Sequence, residues 1–166
     1  MKRRAMINTP LGPMRLTADE KGLQALDFRA KGKRIEPDVF FNPIEKSLLE
    51  YFEGKPLRKF PYGNLGGTAF QLKVWNALVE IPRGQTRSYS EVAKSIGSPR
   101  AARAVGSACG ANPLPIFIPC HRVLAAGGKL GGYSGGLDIK RKLLKLESLS
   151  AQTKLQPQRR HKRQAG

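Results

Sequence analysis

Three prolines, Pro113, Pro115 and Pro119, rule out a helix over the stretch Asn112 to Val123, N-P-L-P-I-F-I-P-C-H-R-V. Each fixes φ, removes a backbone donor and biases the residue before it toward extended conformations. The stretch is therefore expected to be an extended, preset segment. It carries Cys120, one of only two cysteines, with His121 directly after it and the apolar Ile116-Phe117-Ile118 before it. A thiol packed against apolar groups has a raised pKa and is inert. An adjacent imidazole can take its proton and stabilise a thiolate. The dipeptide alone thus supports two readings, a buried core cysteine and a nucleophile.

Before this segment, short runs at Ala5–Ile7, Met14–Thr17 and Leu23–Phe28, separated by Pro- and Gly-bearing turns, predict a small antiparallel sheet. Ile44, Leu48, Leu49 and Phe52 fall at helical spacing after Asn42-Pro43. The Gly- and Pro-rich Lys55–Gly67 reads as a connection, with a boundary between residues 64 and 65. Residues 68–81 predict an amphipathic helix with Thr68 as N-cap and Trp75 on its apolar stripe, where it reads as core and not as a base-stacking residue. Two short helices follow, Tyr89–Ile96 (capped by Ser88 or Ser90) and Arg100–Ala108, around Gly97-Ser98-Pro99. This is the helix-turn-helix outline.

The second of these helices is built from Ala101, Ala102, Ala104, Gly106, Ser107 and Ala108, with Arg103 the one long side chain among them. Such a helix packs tightly against a neighbour, or approaches a narrow groove. An ordinary helix is roughly 10–12 Å across, whereas a DNA minor groove is about 6 Å wide. After Cys120 come Gly127-Gly128, Gly131-Gly132 and Gly135-Gly136, which predict a loop able to wrap a ligand. A final helix is expected over Leu137–Leu149, with Lys140, Arg141, Lys142 and Lys145 as its basic residues. A basic, disordered tail is expected over residues 151–166.

Charge sharpens this picture. The 166-residue chain carries a formal +18, of which +8 falls on residues 65–150. A basic surface on that scale favours a polyanion, nucleic acid foremost. Two cysteines supply neither a disulfide framework nor a Cys-rich zinc site, and a free reactive thiol suits a reducing compartment. No apolar run approaches membrane length. The expectation is an intracellular protein, cytoplasmic, or nuclear if the source is eukaryotic.

I-P-C-H-R-V, preceded by A-A-R-A-V-G-S-A-C-G-A-N-P and followed by Y-S-G-G, resembles the O6-alkylguanine-DNA alkyltransferases (methylated-DNA–protein-cysteine methyltransferases). T-A-F-Q-L-K-V-W-N-A-L, I-P-R-G-Q-T-R-S-Y-S-E-V-A and L-L-K-L-E stand in the family's order, so the resemblance is dense from Leu65 to Glu147 and loose before it. It implies an α+β fold: a small N-terminal antiparallel-sheet, ribonuclease-H-like domain over 1–64, then a mainly helical winged-helix or helix-turn-helix DNA-binding and active-site domain over 65–150. The implied reaction is irreversible, stoichiometric transfer of an alkyl group from O6 of guanine, and also from O4-alkylthymine, in duplex DNA to Cys120. The product thioether is too poor a leaving group for turnover.

The resemblance also implies roles. His121, or a water it holds, accepts the thiol proton, with Glu147 behind it. Tyr89 hydrogen-bonds N3 of the flipped base. The backbone at Cys120 and Val123 accepts from the exocyclic amine, and Ser134 donates to O6 beside Tyr133. Cys109 and Asn112 complete the pocket, Asn112 by bracing its turn. Arg103 fills the gap left by the rotated nucleotide, while Ser88, Arg100, Ala101, Ala102, Ala104, Gly106 and Arg122 meet the DNA. Base flipping costs a few kcal/mol, least for a poorly paired lesion. No cofactor is implied, no membrane partner, and a monomer. Some relatives hold zinc in the N-terminal domain, but residues 1–100 here contain neither Cys nor His. Three rivals fit parts of the pattern. A lesion sensor would lack the cysteine present at 120; a cysteine hydrolase would need an oxyanion hole; a general nucleic-acid binder would make Cys120 dispensable.

Overall fold

The computed structural model describes residues 1–155, with side chains through residue 148. The chain opens with an antiparallel meander of β1 (Arg3–Thr9), β2 (Gly12–Ala18) and β3 (Leu23–Asp27). Pairing Ile7 with Met14 and Ala5 with Leu16 puts these four side chains on the covered face. Gly12 closes the β1–β2 hairpin at φ +98°, a conformation that a side chain disfavours. The following α1 (Asn42–Phe52) covers the sheet through Ile44, Leu48 and Tyr51. Of the expected stripe, Ile44 and Leu48 are buried, Leu49 and Phe52 pack half-buried against the core, and Tyr51 takes an inward place beside them.

The connection after α1 returns to the sheet, where the Leu23 amide donates to Pro61 O and Gly63 N donates to Leu23 O. Then α2 (Ala69–Val79) starts on a capping box in which Thr68 and Gln71 satisfy each other's amides. Trp75 is core, and its indole donates to Ala108 O at 2.8 Å, tying α2 to the small-residue helix. The short β4 (Arg87–Ser88) leads into α3 (Tyr89–Ser95), whose cap is Ser88 and not Ser90, again in a capping box, with Glu91. The next helix, α4 (Ala102–Gly110), begins two residues later than its composition suggested. Pro99 sits inside a turn closed by Ala101 N donating to Ser98 O, so Arg100 and Ala101 lie in that turn.

β5 (Val123–Leu124) pairs in parallel with β4, a two-residue ladder too short to announce itself in sequence. The final α5 (Leu137–Leu155) runs past the expected stop at Leu149 and takes in residues 151–155, which were expected in a disordered tail. Nothing in Ser150–Leu155 breaks a helix, and the first breaker is Pro157. The remainder of the expected tail, 156–166, lies outside the described residues.

The architecture is α+β: the antiparallel sheet with α1, then a mainly helical half built on α2, the α3–turn–α4 pair and α5. One continuous apolar core joins the two halves, with Leu16, Leu26 and Phe41 from the first and Val74, Leu78, Ile116 and Leu143 from the second. Burying each such Leu or Ile contributes roughly 1.5–3 kcal/mol. Among the described residues, no helix is long and apolar enough to cross a membrane.

Candidate active site

The Asn112–Val123 segment is not extended throughout in the way its prolines suggested. Ile118 N donates to Leu114 O, and Ile116 sits at φ +73°, folding the segment into a tight loop. A β-branched residue there costs roughly 1–3 kcal/mol, so the surroundings must hold it. The buried Asn112 does much of that holding. Its amide Nδ2 donates to Ile118 O at 2.8 Å, and its Oδ1 accepts from Leu114 N at 3.0 Å. Asn112 is therefore a brace of the turn and lies behind the cleft wall. The chain leaves this loop in a 3-10 turn, Cys120–Arg122, because Pro119 O accepts from Arg122 N.

That turn sends Cys120 one way and the next two side chains another. Cys120 lies on the floor of a cleft of about 750 Å³, whose walls include Tyr89, Arg103, Gly106, Cys109, Tyr133 and Ser134. The volume is of the size that takes a small organic group. Ala102 also lines it, whereas Arg100 and Ala104 are exposed beside it and Ala101 is half-buried. Arg103 stands on the exposed face of α4 at the rim. Ser88 is committed to capping α3, and Glu91 N donates to its hydroxyl.

His121, fully buried, points away to Glu147, with Nε2 2.7 Å from Oε1. The same oxygen accepts from Tyr51 Oη at 2.7 Å and Arg122 Nη2 at 2.8 Å, and Oε2 accepts from Arg122 Nε at 3.0 Å. Burial alone would raise the Glu147 pKa, but hydrogen bonds and charge from His121 and Arg122 outweigh it and hold the carboxyl well below the usual range. An ionised carboxylate only accepts, so Nε2 carries the imidazole hydrogen. Nδ1 is left as the lone-pair nitrogen, buried and without a protein partner. Burial pushes the His121 pKa down, which keeps the ring neutral at neutral pH, with Nδ1 able to accept a proton.

Arg122, expected to meet DNA, is turned inward. Besides its two bonds to Glu147, its Nη1 donates to Ile81 O at 2.6 Å, and its side chain is 11% exposed. A carboxylate buried this deeply has to be paired, and Arg122 is the cation in reach. Val123 is also behind the wall, with its carbonyl accepting from Lys140.

Two participants escaped the sequence reading. Tyr51 fits the 44–48–51 stripe of α1, so periodicity alone could have pointed its hydroxyl inward. Lys140, named above only as one of the basic residues of the last helix, is fully buried. Its ammonium donates to Val123 O at 2.8 Å, to Gly132 O at 3.3 Å and to Leu130 O, gathering the glycine-rich loop onto β5.

Burial pushes the Cys120 thiol up to about 11, against the lowering effects of the Asn112 amide and the Lys140 ammonium, and pushes Cys109 up to about 12. Iodoacetamide should therefore alkylate Cys120 more slowly than a free cysteine at about pH 7, with a rate still climbing toward about pH 11. Mass-mapped rates across that range check this; a plateau below about pH 8 would contradict it. Among the described residues, no group of three or more His, Cys, Asp or Glu is placed to share a metal ion.

Comparison with known proteins meets this geometry from outside. Residues 69–149 match the family described as 6-O-methylguanine DNA methyltransferase, DNA binding domain, and residues 2–61 match its ribonuclease-like domain. The chain is 50% identical over 151 residues to a methylated-DNA–protein-cysteine methyltransferase of Methanosarcina acetivorans, covering 86% of this chain and 96% of the relative. It is 44% identical over 153 residues to that of Mycobacterium tuberculosis, covering 87% and 92%. The crystal structure of Mycobacterium tuberculosis OGT in complex with DNA superposes with a TM-score of 0.79 at 44% identity, covering 89% of this chain and 93% of that one. The Pyrococcus kodakaraensis O6-methylguanine-DNA methyltransferase, at 24% identity and a TM-score of 0.63, shares the fold.

Proposed function

The chain belongs to the 6-O-methylguanine DNA methyltransferase family, and on that footing we propose that it repairs duplex DNA by moving the O6-alkyl group of guanine onto Cys120. The observation that carries this reading is one cysteine on the floor of a small-residue-rimmed cleft, followed directly by a histidine wired to a buried carboxylate. In the reaction Sγ attacks the alkyl carbon, the C–O6 bond breaks, and guanine departs with both electrons. The thiol proton passes to His121, directly or through water, and Glu147 stabilises the imidazolium that forms. Tyr89 hydrogen-bonds N3 and eases the departure of the base.

The high thiol pKa is compatible with this chemistry. Ionising a thiol of pKa about 11 at neutral pH costs on the order of 5 kcal/mol. A neutral imidazole in place lets that proton move within the reaction, and a desolvated thiolate attacks strongly. The base reaches the cleft by rotating out through the minor groove. The small face of α4 enters the groove, with Arg100, Ala101, Ala102, Ala104, Gly106 and Ser88 near the backbone and Arg103 filling the vacated stack. Tyr133, Ser134 and Cys109 shape the pocket, and Val123 backs its wall with its carbonyl held by Lys140. O4-alkylthymine is a second substrate of the same site. Residues 65–150 form the unit that holds DNA and accepts the alkyl group, and residues 1–64 the N-terminal unit. The protein acts as an intracellular monomer, without a cofactor.

Intact mass after mixing with a short duplex bearing one O6-methylguanine tests the reading. The expected result is a gain of one methyl group per chain, mapped to Cys120 and not to Cys109. Tight binding without a mass change would make it a lesion sensor, and neither binding nor transfer would end the proposal.

A further inference from the structure

The loop that closes the cleft, from Ala125 to Gly136, carries positive φ at Gly127, Gly128, Gly131 and Gly136. A segment so rich in glycine loses more conformational freedom on folding than others, and contacts from outside it must fix it. Some come from Lys140 beneath. Others come from the far half of the molecule, at the end of β3. The Phe28 ring packs on Tyr133 with centroids 5.8 Å apart, tilted by 53°. A Cβ placed on Gly135 would stand 2.7 Å from the same ring, so backbone and ring are in direct contact there. Next to it, Arg29 holds φ +51°, an uncommon conformation for a residue with a side chain, and its Nη2 donates to Asp138 Oδ2 at 2.6 Å in the first turn of α5. On the other flank, Leu26 N donates to Pro113 O, beside the Asn112 turn that positions Cys120. The end of β3 therefore touches the chain both before and after the cysteine.

We infer that the Phe28–Arg29 turn is a positioning element for alkyl transfer, holding the Tyr133–Gly135 wall at a fixed distance from Cys120 and so setting both the rate of transfer and the size of alkyl group accepted. The inference rests on the function proposed above. Phe28 does not line the cleft and touches no reacting atom; it acts through Tyr133. In-line attack is steeply sensitive to placement, and an error of about 1 Å at the reacting carbon costs up to a hundredfold. Removing the ring frees the tyrosine wall to retreat, which slows transfer of a small methyl group more than that of a bulky, flat one.

The test uses single-turnover rates on two duplexes, one bearing O6-methylguanine and one O6-benzylguanine, normalised to active protein. Wild type is measured first: failure to transfer at all ends the functional reading itself, separately from this inference. Phe28→Ala is expected to slow methyl transfer roughly tenfold and to raise the benzyl-to-methyl rate ratio, with affinity for undamaged duplex unchanged. Phe28→Leu, which keeps an apolar prop, should recover most of the loss. Gly135→Ala should also slow transfer, because its new methyl meets the ring. In the double variant with Phe28→Ala that clash is gone, so the double variant should be no slower than Phe28→Ala alone. The inference is overturned if Phe28→Ala lowers the melting temperature while leaving both rates and their ratio at wild-type values. Independent, additive losses from Phe28→Ala and Gly135→Ala would overturn it equally.

Discussion

Glu147→Ala is expected to lose roughly 3–5 kcal/mol of folding stability and to drop methyl transfer by at least about a hundredfold. Both losses have one origin. The carboxylate accepts from Tyr51 Oη, His121 Nε2 and two nitrogens of Arg122, in a place where Tyr51, His121 and Glu147 itself are buried. Alanine leaves a guanidinium and two neutral donors facing a cavity without their acceptor. Against a total stability of about 5–15 kcal/mol, that is a large fraction. Transfer falls because His121 loses the partner that fixes its tautomer and stabilises its charged form.

Glu147→Gln separates the two effects. It keeps the volume and one acceptor oxygen, so stability should fall by only about 1–3 kcal/mol, while the lost charge still depresses transfer. The pH dependence carries the sign. A carboxyl held below its ordinary 4.5 contributes stability that is fully present above that value and is lost as pH falls below it toward the folded-state pKa. Urea denaturation of wild type and Glu147→Gln, run near neutrality and again at about pH 4, should show the difference between them shrinking in acid. A gap that stays constant, or a Glu147→Ala variant within about 1 kcal/mol of wild type, would remove Glu147 from this role.

How much of this was readable from sequence depends on the range of the interaction. The capping boxes at Thr68–Gln71 and Ser88–Glu91 are local, and their helices begin where the residues say. The small-residue helix and the Cys-His pair were visible as composition. The start of α4 falls two residues beyond the expected one because the turn at Gly97-Ser98-Pro99 continues through Arg100 and Ala101, closed by Ala101 N on Ser98 O. The extended reading of the cysteine segment failed for a different reason. Prolines fix their own φ, but the fold of the loop is set by Asn112 and by the left-handed Ile116, which no pattern forecasts. Tyr51 reaches Glu147 across 96 positions and Arg122 does so across 25, so their pairing is a property of the packed chain. Lys140, in a run of basic residues, is drawn inward by a cluster of carbonyls, and Arg122, placed on the DNA by the family resemblance, is drawn inward by a buried carboxylate.

Lys140→Met should lower methyl transfer by roughly a hundredfold or more while costing only about 1–3 kcal/mol of stability. The side chain sits among the carbonyls of Val123, Leu130 and Gly132, drawing the glycine-rich loop onto β5 and with it the Tyr133 wall. Methionine matches the length and the apolar stem but supplies no donor. Loop carbonyls near the surface can turn to water, which keeps the stability cost modest, yet turning them moves the loop. The second loss is electrostatic. Burial pulls the Lys140 pKa down, but its charged form opposes the rise of the Cys120 thiol, so removing it leaves that thiol still harder to ionise than a pKa of about 11 implies. At about pH 9.5 a thiol of pKa about 11 and one titrating higher are both still mostly protonated, so both rates should rise together and the gap between variant and wild type should persist. Affinity for undamaged duplex, which depends on the outer face of α4, should change by no more than about twofold. Single-turnover rates at about pH 7 and about pH 9.5, beside duplex affinity, measure all three. If the variant transfers methyl within about threefold of wild type at neutral pH, Lys140 holds neither the loop nor the thiol.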